Sequence, residues 1–418
     1  MSNRLLEILT KLANASQQFA TQFPLLAPGS FRSPHGLMHE LTKELESVPE
    51  IAKWEKQRFA TYFGESEIHF SYLAGAMVER VMDGVAPVTV VDDLMDLFLN
   101  PNVGLKIIMG VVGIKVTDSI ELSKGVCVLP PSKLPPSKVR EEMFDVGRDG
   151  KVLHRGRFLS DGPPGAALVI DGRMTVIHGH SHGHTERKEL VDHVTLKQAR
   201  ALTCLTLSGP TCAPFIVSAS SWVAHPAFPY SGFGSLGYAR WQGIAPLQPG
   251  DVDASQASNL YSKIEALDKP DWEPIMRATE RLQRSRSHMA EADRAIDLGI
   301  ALEMTLLHEI DREHTELSYR AAVRGAWLLG KNGAERRQIF NALKVAYDAR
   351  SAAVHTGQIS KKKLIENLPE ADKFCASAIR HVIEHGFPEQ WNSLVLDEAR
   401  KPGATNSPDG VVGSEGLN

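Results

Sequence analysis

Two stretches of the chain carry residue types whose spacing suggests chemistry. Residues 176–185 read VIHGHSHGHT, which puts His178, His180, His182 and His184 on alternate positions. On a single strand, alternate side chains share one face, so two of these imidazoles could bind a zinc ion. A catalytic zinc site also needs a third ligand and outer partners that orient the rings, and Glu186, Glu189, Asp192 and His193 stand near enough in sequence to contribute. Against this, the interleaved Gly179, Ser181 and Gly183 describe a turn, and no DxH, GDxxD or HExxH pattern accompanies them. The expectation is a solvated loop with weak affinity for divalent metals and no cofactor, with a metal-binding protein as the lesser alternative.

The second stretch lies near the C-terminus. In LGIALEMTLL, residues 298–307, the only charge is Glu303, and helical spacing sets it on a stripe with Ile296, Ile300, Leu307 and Ile310. A carboxylate there is costly unless it is paired. A later helix, Ala334 to His355, has the stripe Ile339, Leu343, Ala346, and the next step on that face is Arg350. An acid and a base on apolar faces of separate helices are expected to meet. They form either a plain internal ion pair or a tether that presents the Arg350 fork of donors to an anion. The run YDARSAAVHTG then ends the helix, with Gly357 as a left-handed cap and His355 in the last turn.

Arg350 and His355 form an R-x4-H arrangement, which by itself selects little: Arg281 with His288 and Arg380 with His385 satisfy similar searches. On a regular helix the two side chains point roughly 140° apart. A symmetric dimer that juxtaposes two such pairs, or a distorted last turn, would relieve this. His355 also suits a simple interaction with the helix dipole.

These residues have to be positioned by an ordinary globular chain. Its 418 residues are 43% hydrophobic and 23% charged with a formal charge of −4, so no general polyanion binder is indicated. The four cysteines form no CxxC pair and fit thiols of a reducing compartment. The N-terminal MSNRLLEILTKLANASQQF reads as an amphipathic helix, and GLKIIMGVVGIKV is too short and charged to span a bilayer, so a cytoplasmic protein without a membrane partner is expected. Periodicity is helical to about residue 100. Strands then follow in VGIKVTDSIELSKGVCVLP, GAALVIDGRMTVIHG, ARALTCLTLSG and APFIVSASSWVA. LQPGDVDASQASN reads as a linker. The expected organisation is a mixed α+β region over 1–250 with a sensing or regulatory role, an all-α helical bundle over 251–396, and a disordered tail over 397–418.

The C-terminal third resembles the HEPN domains, in particular their Apea-like branch. The resemblance runs through DRAIDLGIALEMTLL, ELSYRAAVRGAWLLG and ERRQIFNALKVAYDARSAAVHTG. It rests on Glu303, on the helix with Arg320 and Arg324, and on the YDARSAAVH segment with Tyr347, Arg350, Ser351 and His355. Many relatives have His-Gly where this chain has His-Thr-Gly. The resemblance implies an α-helical bundle that dimerises, or assembles further, and cuts RNA without a metal, as effectors of antiviral defence do. In that chemistry the substrate's 2′-hydroxyl is the nucleophile, so the protein must move protons and neutralise the phosphorane. Arg350, His355 and Glu303 would be catalytic; Ser351, Tyr347, Arg320 and Arg324 would bind RNA or support the site, with Tyr347 packing the dimer interface. A structured RNA such as a tRNA is the expected substrate. The alternative is a catalytically silent HEPN dimer that serves as a binding or sensing module.

Overall fold

The computed structural model describes residues 3–22, 35–54, 57–146, 163–178, 183–228, 249–288, 290–308, 316–359, 361–388 and 390–395. It divides into two compact units, Met1–Ala266 and Leu267–Asn418. The first is an α+β unit. Its helices α1 (Asn3–Gln22), α2 (His35–Ser47) and α3 (Pro49–Ala52) precede the short strands β1 (Arg58–Ala60) and β2 (Glu65–Glu67), and α4 (Phe70–Met82) and α5 (Pro87–Leu99) follow. The apolar stripes predicted there bury Leu5, Ile8 and Leu9 of α1 with Leu41 and Leu45 of α2, Met77 of α4 and Leu97 of α5. Arg80 of α4 and Asp93 of α5 pair at 2.5 Å.

The chain then enters its main sheet through β3 (Asn102–Val112), β4 (Ile114–Lys115), β5 (Ile120–Ser123), β6 (Val126–Leu129), α6 (Lys138–Phe144), β7 (Ala166–Thr175) and β8 (Ile177–His178). Helix α7 (Gly183–Leu207), β9 (Phe215–Ala224), β10 (Gly250–Asp251) and α8 (Ala254–Glu265) complete the unit. The five-stranded antiparallel sheet has the order β5-β6-β7-β3-β9, with Ile108 opposite Val169 and Ile107 opposite Ile170. Strand alternation gives each face its own cover. Ile108, Ala167, Val169 and Trp222 pack with Leu134, Met143 and Phe144 from α6 and its approach. On the opposite face Gly172 lies against Ile107 and Leu190 of α7, and a Cβ there, 2.4 Å from Leu190 Cδ1, would make that leucine shift.

Two expectations are corrected here. ARALTCLTLSG, read as a strand, belongs almost entirely to α7. Its β-branched residues are accommodated because Thr203 and Thr206 bond back to the carbonyls of Ala199 and Leu202, and burial of Ala201 and Leu205 outweighs their strand preference. LQPGDVDASQASN is not an interdomain linker, and the division falls after Ala266 instead of at 250. Gly250 and Asp251 form β10, parallel to β4, and α8 buries Ala257, Leu260, Tyr261 and Ile264 while Ser258 Oγ donates to the Glu121 carbonyl.

Among the described residues the elements of the second unit are all helices: α9 (Lys269–Ser287), α10 (Glu291–Leu306), α11 (Leu317–Leu329), α12 (Gly333–Thr356), α13 (Lys362–His385) and α14 (Trp391–Val395). The mixed α+β region followed by a helical part agrees with the sequence. The tail over 397–418 lies outside the described residues. No described helix is long and apolar enough to cross a membrane.

Burial pushes the Cys204 and Cys375 thiols, and the Tyr261 hydroxyl, well above their ordinary ranges. The unfolded chain releases thiol protons near about pH 8.5 and the phenolic proton near about pH 10, whereas the folded chain keeps them. This contribution to stability is complete below the unfolded values and declines as pH rises past them. Melting temperature is therefore expected to fall between about pH 8 and about pH 9.5, and a Cys204→Ala, Cys375→Ala protein should show a shallower fall. Parallel slopes for the two proteins would contradict this.

Candidate functional site

The site is built on α12, whose ends are fixed by its own sequence. Asn332 Oδ1 accepts from the amides of Ala334 and Glu335 at the start, and Gly357 takes the left-handed conformation (φ 69°) that closes the C-terminus. Leu343 of α12 packs its Cδ1 over Gly325 of α11, where a Cβ would stand 2.3 Å from it and make the leucine shift. On the other side Gly299 of α10 makes room for the Arg350 stem, since a Cβ would lie 2.6 Å from Arg350 Cγ. At each glycine a side chain of α12 thus lies over the neighbouring helix.

Glu303 and Arg350 do meet across α10 and α12. Arg350 Nη2 stands 3.3 Å from Glu303 Oε1 and 3.5 Å from Oε2, with the side chains 29% and 25% exposed. The pair is thus half-buried and open to solvent on one side. Tyr347, one turn earlier, donates its hydroxyl to Glu303 Oε1, and the Arg350 guanidinium carbon lies 5.4 Å from its ring centre. Burial, then the bond to Glu303, pushes the Tyr347 hydroxyl far above its ordinary value, so it stays protonated. The tyrosine expected to pack an interface is instead only 7% exposed and is engaged inside the unit.

The rest of the expected set is distributed more widely. Helix α12 remains regular through Thr356, so the last turn is not distorted, and His355 and Arg350 point roughly 140° apart on the same helix. His355 is exposed and makes no hydrogen bond or ion pair among the described residues, while Ser351 is half-buried one turn before it. Arg320 is half-buried on the first turn of α11. Arg324 faces inward and is withdrawn from any RNA surface. It is 8% exposed, donates to the Leu306 carbonyl at 2.8 Å, where α10 ends, and lies 4.8 Å from the Trp391 ring of α14.

The stripe that drew attention to Glu303 is also shifted. Ile296 and Ile300 are only half-buried, Ile310 lies outside the described residues, and the deeply buried acid of α10 is Asp297. Asp297 accepts from Arg281 at 2.8 Å and faces His288 Nε2 at 2.6 Å. Arg281 and His288 are therefore an Arg/His pair that the fold does bring together, on a structural carboxylate between α9 and α10. A second internal pair, Arg286 of α9 with Asp372 of α13, is bidentate. The sequence reading missed both. Asp297 lies one step off the apolar stripe, and Asp372 sits between Ala371 and Lys373 with nothing nearby to mark it as buried.

The histidine cluster does not lie on one strand. His178 ends β8, opposite Arg58 of β1, and His184 falls in the first turn of α7, while His180 and His182 lie outside the described residues. Among the described residues no group of three or more His, Cys, Asp or Glu side chains is placed to hold a metal ion. No family model matches the chain, nor does any curated protein or solved structure.

Proposed function

We propose that the helical unit is a HEPN-type endoribonuclease in which Arg350 and His355 act on RNA through the substrate's own 2′-hydroxyl. The observation that carries this is the half-buried guanidinium of Arg350, tethered to Glu303 with donors to spare, on the same helix as a solvent-exposed and unengaged imidazole. Arg350 clamps the phosphate and stabilises its growing charge, and the imidazole of His355 moves the proton. Ser351 lies between them as an added hydrogen-bonding group. Because RNA supplies the nucleophile, the reaction needs no metal-bound water.

One helix cannot bring the two side chains onto one phosphate, so the working site is composite, with Arg350 from one copy and His355 from a second. The outer face of α11 and α12 suits such a copy. Tyr319 is 55% exposed and packs edge-on against Phe340, and Val354, beside His355, is 53% exposed. The role that fits is an effector of antiviral defence that cuts a structured RNA such as a tRNA in the cytoplasm, with the α+β unit sensing the trigger or restraining the nuclease. The second reading, a catalytically silent dimer, is favoured by the fact that Glu303 and Tyr347 already engage Arg350 as internal partners.

Subunit mixing tests the composite site. The Arg350→Ala and His355→Ala proteins should each be inactive on total RNA, and after exchange of subunits the mixture should recover activity. With random pairing about half the dimers are mixed, each with one intact site of two, so recovery to about a quarter of wild-type activity is expected. Absence of recovery, with wild-type protein active, would place the whole site in one chain. An inactive wild-type protein would favour the silent dimer.

A further inference from the structure

Arg350 approaches Glu303 through one nitrogen only. Nη2 is 3.3 Å from Oε1 and 3.5 Å from Oε2, whereas an unhindered arginine–carboxylate fork closes to about 2.7–2.9 Å on two nitrogens at once. Nε, which would complete such a fork, is buried and has no hydrogen-bond partner among the described residues. The carboxylate is meanwhile in use, because Tyr347 donates to Oε1. Tyr347 and Arg350 sit three residues apart on α12, on adjacent positions of one face, so they reach Glu303 from the same side.

The Tyr347 hydroxyl occupies Oε1, and the guanidinium is left with a long bond to Oε2, so the two donors divide one carboxylate between them. We infer that Tyr347 is a positioning residue, whose hydroxyl stops Glu303 from closing onto Arg350 and so keeps the guanidinium in place with donors free for a phosphodiester oxygen. Without this competitor the acid and the base would form a saturated pair, and an incoming phosphate would have to displace a carboxylate. Tyr347 thereby sets how much of Arg350 is available to an anion without touching that anion itself. The inference rests on the ribonuclease reading for its ligand, but not for the tether.

The test is a double-substitution cycle with two readouts on the full chain. The first readout is the Arg350 side-chain Nε–H resonance in arginine-labelled protein without RNA, assigned by its loss in Arg350→Lys. Tyr347→Phe should move it downfield and slow its exchange with solvent as the fork closes, and adding Glu303→Gln should reverse the change. The second is binding of an oligonucleotide with 2′-deoxyribose throughout, which cannot be cut by the proposed chemistry. Affinity should fall about tenfold in Tyr347→Phe, the scale of one charge-assisted contact, and return on adding Glu303→Gln. An unchanged resonance in Tyr347→Phe overturns the inference, as does a loss of affinity that persists undiminished beside Glu303→Gln. Failure of the ribonuclease reading would instead leave the resonance changes intact while the oligonucleotide binds none of the proteins.

Discussion

RNA cleavage should fall by about 100- to 10,000-fold in the His355→Ala protein, the range that positioned proton transfer contributes, and by a comparable factor in Arg350→Ala, where a preorganised charge clamp is lost. Both proteins should keep their fold. His355 is exposed at the end of α12, and removal of Arg350 leaves Glu303 still bonded to Tyr347 and partly open to water. The products should carry 2′,3′-cyclic phosphate and 5′-hydroxyl ends, because the attacking oxygen belongs to the substrate. A substrate with a single 2′-deoxyribose at the scissile position should resist, and excess chelator should leave the rate unchanged. End-group analysis together with the deoxy substrate decides the matter. Cleavage of the deoxy substrate, or full activity in His355→Ala, would remove the 2′-hydroxyl mechanism and leave the binding-module reading ahead.

The largest stability loss is expected at a residue far from this chemistry. Asp372→Ala should destabilise the helical unit by about 3–5 kcal/mol, the usual consequence of stranding one member of a buried pair. Arg286 and Asp372 have side chains only 5% and 12% exposed and share three contacts of 2.7–3.1 Å. Arg380 adds to the cost. Burial and the nearby charge of Arg286 depress its pKa while Glu384 and Asp372 oppose them, so losing Asp372 removes one of the two carboxylates that offset these cations. The expected drop in melting temperature is on the order of 10 °C for a unit of this size. Replacing both partners with apolar residues, as in Arg286→Met with Asp372→Leu, should recover much of the loss. A loss below about 1 kcal/mol in Asp372→Ala would mean that water reaches the pair and screens it.

The contrast between these two sites explains what could be read from the chain beforehand. The Glu303–Arg350 pair was legible because Arg350 interrupts a simple repeat, Ile339, Leu343, Ala346, and because Glu303 is the only charge in a ten-residue run. The Gly357 cap and the helical limits of α12 were legible for the same local reasons. Asp297, Asp372 and Arg324 were not. Their burial depends on which neighbouring helix offers a counter-charge, a carbonyl or a ring, and a single helix's periodicity does not contain that information. The same limit applied to ARALTCLTLSG, where local preference favoured a strand and packing on the sheet favoured a helix. The 140° separation of Arg350 and His355 was computable from the sequence alone, but that nothing in α12 relieves it required the regular last turn.

The pairing of β10 with β4 has a consequence for the order in which the protein is made. Gly250 and Asp251 complete an edge begun at Ile114 and Lys115, and Ser258 bonds to Glu121, so the α+β unit closes on contacts more than a hundred residues apart in sequence. During synthesis that unit cannot finish folding until α8 has left the ribosome. Its sheet edge and the apolar bed for Leu260, Tyr261 and Ile264 stay uncovered through most of translation. The helical unit begins directly afterwards and closes only when α13 brings Asp372 to Arg286, 86 residues further on, so it completes its fold after the α+β unit. A toxic ribonuclease would in this way become competent only after the unit proposed to restrain it is complete, and a chain truncated before residue 254 would give neither.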